Sequence, residues 1–168
     1  MMWLWIIGVI VVVFGFVVFR GAPYLPSQRR LIRQAFTRLY PLGSGDVLID
    51  IGSGDGIVLR EAAKLGARAV GYELNPLLVF ISRWLSRHFK QVSIRLADAW
   101  TTPLPDDTTV MYIFGVTRDA KRVVNVAQRE ANRLKRSLYV ISYAIVLPGM
   151  KADKQDGAYY LYTFYCLQ

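Results

Sequence analysis

Three carboxylates stand at the ends of candidate strands: Asp50 after Val47-Leu48-Ile49, Glu73 after Ala67-Arg68-Ala69-Val70-Gly71-Tyr72, and Asp98 after Gln91 to Leu96. The first leads into Ile51-Gly52-Ser53-Gly54-Asp55-Gly56, with glycines at alternate positions, and a helical pattern opens at Ile57. An unbroken apolar run suits a strand buried on both faces of a parallel sheet. The glycines permit positive φ and a close approach of ligand to backbone. Free N–H groups at the helix start favour a negatively charged group. Strand, loop and helix together therefore hold a small polar ligand. Glu73 lies 73 − 52 = 21 residues after Gly52, matching the spacing of about 20 at which an acid grips ribose hydroxyls.

The spacing narrows the ligand. Dinucleotide folds usually read G-x-G-x-x-G, whereas this loop reads G-x-G-x-G with Asp50 two residues ahead of it. That pattern looks like the first motif of class I S-adenosylmethionine (SAM) methyltransferases. Asp98, in Ala97-Asp98-Ala99-Trp100, is placed to accept a hydrogen bond from an adenine amino group or to serve as a turn aspartate. Trp100 either flanks an adenine or belongs to the core.

The elements that position these residues alternate strand and helix. Ile57 to Leu65 reads as a helix stopped by Gly66. Asn75-Pro76 caps another, with Leu77, Phe80, Ile81, Trp84, Leu85 and Phe89 as a broad apolar face. Gln91 to Leu96 is the third strand and Thr108 to Val116 the fourth, ending in Ile113-Phe114-Gly115-Val116. Thr117 or Asp119 caps a helix bearing Val123, Val126, Ala127, Ala131 and Leu134. Arg136 to Leu147 is the fifth strand, broken by Pro148-Gly149. Ala158 to Leu167 reads as a final antiparallel edge strand. This order predicts an α/β fold with a Rossmann-like sheet, whose ligands bind at the carboxyl ends of the strands.

The first 44 residues differ in kind. From Met1 to Phe19 the chain is apolar over 19 residues, about 28 Å as a helix, against a hydrocarbon core of about 30 Å. Residues 1–20 are expected to form a transmembrane anchor touching lipid through residues 3–19, with Trp3 and Trp5 at one interface. Arg20, Arg29, Arg30, Arg33 and Arg38 follow it, so the positive-inside rule puts residues 45–168 on the cytoplasmic side, or on a mitochondrial membrane in a eukaryote. Residues 21–44 form a stiff connector, Gly21-Ala22-Pro23-Tyr24-Leu25-Pro26, and a helix capped by Ser27 that runs to about Tyr40 before Pro41. The net charge is +9, but the basic residues are scattered and largely beside the anchor, which argues against nucleic acid. Cys166 is the one cysteine and His88 the one histidine. A disulfide framework is thereby excluded, His88 reads as surface, and no metal site is expected.

Asp50 to Gly56, Gly71-Tyr72-Glu73-Leu74-Asn75-Pro76, Ser82-Arg83 and Ile113 to Val116 together resemble one family. It is the membrane-anchored lysine methyltransferases of the ATP synthase c-subunit and the adenine nucleotide translocase. The resemblance implies SAM as cofactor. Asp50 and the backbone of Gly52, Ser53, Gly54 and Gly56 would hold its methionine part. Glu73, with Leu74 and Asn75 beside it, would hold the ribose, and Asp98, Ala99 and Trp100 the adenine. Phe114 and Gly115 would line the acceptor channel, with Tyr24 and Ser27 closing over it. No catalytic base is identified: the methyl is already activated, and a buried lysine beside a sulfonium can lose its proton to water. The implied acceptor is a lysine of a membrane protein. A small lipophilic acceptor such as a quinone or lipid, and a non-catalytic SAM-binding assembly factor, are the alternatives.

Overall fold

The computed structural model describes residues 3–5, 8, 28–115 and 117–167. Its centre is a seven-stranded sheet in the order β3-β2-β1-β4-β5-β7-β6. The strands are β1 (Val47–Ile51), β2 (Arg68–Glu73), β3 (Val92–Leu96), β4 (Val110–Phe114), β5 (Leu138–Tyr143), β6 (Lys154–Asp156) and β7 (Tyr159–Phe164). The first five are parallel, and β7 runs antiparallel between β5 and β6. The sheet is the Rossmann-like arrangement that the alternating pattern predicts. The final strand differs from its expected place at the edge. β6, a three-residue strand too short and polar to show an apolar alternation, takes the edge.

The helices divide between two faces. One face carries α1 (Arg29–Gln34), continued by a π-turn over Ala35–Leu39, and α2 (Ile57–Lys64). Ile32, Ala35, Phe36 and Leu39 pack there on Leu48, Tyr112, Tyr159 and Leu161. The other face carries α4 (Ala120–Leu134), with Val123, Val126, Ala127 and Ala131 on Ile49, Val70, Met111 and Val140. The π-turn was not legible in the sequence. It widens the last turn so that the Tyr40 N–H reaches the Ala35 carbonyl at 3.2 Å, and Tyr40 then adopts the extended backbone that Pro41 demands. Neither Thr117 nor Asp119 makes the expected cap by side chain. Both lie in a 3-10 turn, Thr117–Asp119, that feeds α4 directly.

Between β2 and β3 lies α3 (Pro76–Leu85). Asn75 caps it, its Oδ1 accepting from the Leu77 N–H at 2.9 Å, with Pro76 at the first helical position. Its broad apolar face points outward. Only Val79 and Ser82 are buried, while Leu77, Phe80 and Trp84 stand exposed, and Arg87 covers the Trp84 ring at 4.9 Å. Small inward residues let the helix lie close to the sheet and leave the large ones in solvent. Phe80→Ser and Trp84→Ser should therefore change stability by no more than about 0.5 kcal/mol. A large loss of melting temperature would place these side chains in the core.

Among the described residues no helix is long and apolar enough to cross a membrane. The single-pass membrane placement expected from residues 1–20 is corrected accordingly. Most of that stretch, expected to touch lipid, lies outside the described residues, as do Tyr24 and Ser27, expected to close over the channel.

Candidate cofactor site

The site is built where β1 and β2 end. Gly52, Gly54 and Gly56 all have positive φ, at 75°, 53° and 77°. The alternate glycines thus serve backbone geometry rather than flexibility. The Gly52 and Ser53 N–H groups both donate to the Tyr72 carbonyl, at 2.9 and 3.1 Å, fastening the loop to β2. Space around a would-be Cβ of Gly52 is open, so a ligand can approach the backbone there. At Gly56 the space is filled instead: a Cβ there would collide with Ser82 Oγ of α3. Gly71 is a requirement the motif did not explain. A side chain on it would strike Ser53 Oγ and lie 2.7 Å from both Ser53 Cβ and Leu59 Cδ1.

Asp50 is 3% exposed, and no hydrogen bond or ion pair reaches its carboxylate among the described residues. Burial raises its pKa well above the ordinary carboxylate value, and the nearby charges of Glu73 and Asp55 push it further the same way. Asp55 has its own cation, Arg60, whose Nη2 donates to it at 3.0 Å. Asp50 has none. A buried carboxylate without a partner is costly unless it is paired with a cation, which fits the positive end of a cationic ligand.

Glu73 occupies the position predicted for it but already has work in the protein. Its Oε2 accepts from the Gly54 N–H and its Oε1 from the Asn75 N–H, both at 2.8 Å. It ties the glycine loop to the start of α3, and each oxygen retains a lone pair for a ligand hydroxyl. Glutamine has only one acceptor oxygen and presents an NH₂ to the second N–H. Glu73→Gln should therefore weaken ligand binding about tenfold to a hundredfold, the 1.5–3 kcal/mol worth of a charged hydrogen bond, and lower the melting temperature as well. Titration calorimetry beside a melting curve checks both; unchanged values would remove Glu73 from the site.

Asp98 turns its own loop. Its Oδ1 accepts from the Trp100 N–H at 2.9 Å, and its carbonyl accepts from the Thr102 N–H. Asp98 thus serves as a turn aspartate, and among the described residues its Oδ2 meets no hydrogen-bond partner. Ala99 is buried in the core under α4, and Trp100 packs half-buried against the same cluster with Arg122 5.9 Å from its ring. Leu74 is exposed beside the site and Asn75 is buried as a helix cap. Asp50, Glu73 and the glycine loop come together, while Asp98 to Trp100 sit at the end of β3 on the same rim. Among the described residues no cluster of ligating side chains could hold a metal ion.

Phe114 ends β4 at that rim, and Gly115 follows it. A Cβ on Gly115 would lie 2.9 Å from Ile145 Cδ1, so the chain passes tightly here. The sequence reading missed two neighbours, Tyr143 and Tyr159, whose rings join Phe114. A usable signal existed: Tyr143 ends a parallel strand, where ligands gather. Tyr159 is the buried member of this pair. Burial raises its phenol above the ordinary value, the Tyr112 hydroxyl opposes the rise, and the charges of Tyr143 and Asp50 add to it.

Known proteins resemble this chain in sequence and in fold. The chain is 40% identical over 138 residues to the human ATP synthase c-subunit lysine N-methyltransferase, across 80% of this chain and 57% of that protein. It is 26% identical over 149 residues to the demethylmenaquinone methyltransferase of Tropheryma whipplei, across 77% of this chain and 62% of that one. The chain thus spans a little over half the length of the curated relatives it matches. In fold it resembles an RNA methyltransferase from Salinibacter ruber solved with S-adenosyl-L-homocysteine, with a TM-score of 0.76 at 23% identity over 84% of this chain and 94% of that one. Residues 50–154, from the unpaired aspartate to the short edge strand, match the ANTKMT methyltransferase domain, and the chain belongs to that family.

Proposed function

We propose that the chain is a SAM-dependent protein-lysine N-methyltransferase whose acceptor lies on a membrane protein. The observation that carries the cofactor is Asp50, a buried carboxylate that no cation among the described residues meets. The lysine reading is supported by the 40% identity to an enzyme named for a lysine of the ATP synthase c-subunit. When bound, the cofactor supplies a methyl already activated by a sulfonium. The residues of this chain bind and align. Asp50 and the loop Gly52–Gly56 hold the methionine part, Glu73 the ribose, and Asp98 to Trp100 the adenine. Phe114 and Gly115 stand at the acceptor end. The lysine must lose its proton before it attacks, and burial beside positive charge favours that loss.

The titration of Asp50 gives a pH dependence. Its raised value means that acid neutralises it first, so cofactor affinity should fall as pH drops through that value. Acceptor deprotonation also improves with pH, since lysine ordinarily titrates near 10.4. The rate should therefore climb with pH below the ordinary lysine value of about 10.4, and a flat rate profile there would contradict the acceptor's role.

The acceptor is tested with radiolabelled SAM and membranes from the source cell. Label in a protein band supports lysine transfer. Label in the organic extract supports a small lipophilic acceptor, a second reading favoured by the similarity to a demethylmenaquinone methyltransferase. Tight SAM binding with label in neither fraction would leave a non-catalytic SAM-binding role.

A further inference from the structure

Beyond the glycine loop the rim carries three rings in register. Phe114 is the Cα partner of Tyr143 across β4 and β5, and Tyr143 that of Tyr159 across β5 and β7. Phe114 stacks on Tyr143 with centroids 5.1 Å apart and an angle of 24°, and Tyr143 meets Tyr159 at 4.7 Å. The Tyr159 hydroxyl lies 3.4 Å from that of Tyr112, and Tyr112 is the Cα partner of Asp50. The row therefore runs outward from the buried carboxylate. Tyr159 is buried, whereas Phe114 and Tyr143 are half-buried and keep surface to offer.

The backbone beside these rings is unusual. Ala144, directly after Tyr143, has φ +60°, a left-handed conformation that a residue with a Cβ seldom adopts. It is held by its N–H to the Ala158 carbonyl at 2.8 Å and by Ser142 Oγ donating to the Ile145 carbonyl at 2.7 Å. β5 turns away at this residue and leaves Tyr143 as its last member. Held strain of this kind gathers at ligand sites.

We propose that the half-buried rings of Phe114 and Tyr143, backed by the buried Tyr159, form the recognition wall for the acceptor's alkylamine chain. The proposal rests on the lysine reading above. Aromatic rings suit such a chain at both ends: their surface packs on methylenes, and their faces attract an ammonium. They also suit the chemistry. A carboxylate at this place would hold the lysine in its charged form, whereas a ring orients it and favours that form less.

The test compares Tyr143→Leu, which keeps apolar bulk without a π face, with Tyr143→Phe, which keeps the face without the hydroxyl. Tyr143→Leu should raise the acceptor KM about fivefold to tenfold, with SAM affinity within twofold of wild type, and Tyr143→Phe should stay within twofold on both. Wild-type kinetics for Tyr143→Leu, or equal losses for the two variants, would overturn the proposal. If Tyr143→Leu melts early, Phe114→Leu against Tyr143→Phe makes the same comparison. Should the wild type label no protein, the lysine reading fails separately. The wall is then read by titrating butyltrimethylammonium into wild type and Tyr143→Leu in the presence of S-adenosylhomocysteine. Binding weakened by the leucine supports it, and equal or absent binding overturns it.

Discussion

Asp50→Asn should produce a protein that is more stable and cannot hold its cofactor. The wild-type carboxylate is buried without a partner, beside the charges of Glu73 and Asp55. The sign follows from its raised pKa. Between the unfolded value near 3.9 and the higher folded one, the native state binds more protons, so wild-type stability falls as pH rises through that window. At neutral pH the asparagine relieves that penalty. A gain of about 1 kcal/mol is expected, seen as a rise of roughly 2–4 °C in the melting temperature, and it should vanish as pH approaches 4. Cofactor affinity moves the other way. A buried charge pair is lost, and the affinity should drop at least about a hundredfold, the upper end of a charged hydrogen bond. Thermal melts without and with SAM read both effects. A destabilised apo-protein with intact binding would assign Asp50 to structure instead.

Gly71→Ala should damage the site from a position that no ligand touches. Gly71 sits inside β2 with neighbours on both sides, Asp50 on β1 and Ile94 on β3. Ser53 lies against it, and Leu59 Cδ1 would be 2.7 Å from the new methyl. Overpacking of this kind costs about 1–3 kcal/mol. The movable partner is the glycine loop itself, so the strain is relieved by displacing Ser53 from the Tyr72 carbonyl that holds it. SAM affinity should fall at least about tenfold, with a melting temperature lower by roughly 3–10 °C. Ser53→Gly in the same chain removes the obstructing Oγ and Cβ and should restore much of both. A singly substituted protein that melts and binds like wild type would show that the loop tolerates displacement.

The parallel core was legible because its signals are local. Val47 to Ile51 is apolar without alternation and is buried throughout, and Asn75-Pro76 opens a helix as those residues do elsewhere. The glycine loop was legible for the same reason. What escaped depends on contacts between distant residues. Gly71 looks like an ordinary strand residue until Ser53 is placed against it. Tyr143 and Tyr159 lie 16 residues apart (159 − 143) and meet only because β7 inserts between β5 and β6. The outward face of α3 escaped because an apolar stripe records only that a face exists, and small Ser82 and Ser86 decide which side approaches the sheet. Glu73 was found by spacing, but its bonds to Gly54 and Asn75 follow from the fold.

A ¹⁵N amide spectrum titrated with SAM tests most directly where the cofactor sits. The largest shifts are predicted at Gly52, Gly54, Gly56, Glu73 and Asn75, with smaller ones at Ala99 and Trp100. Saturable shifts confined to another region, such as the edge formed by Arg38, Lys154 and Asp156, or none at millimolar SAM, would contradict that placement.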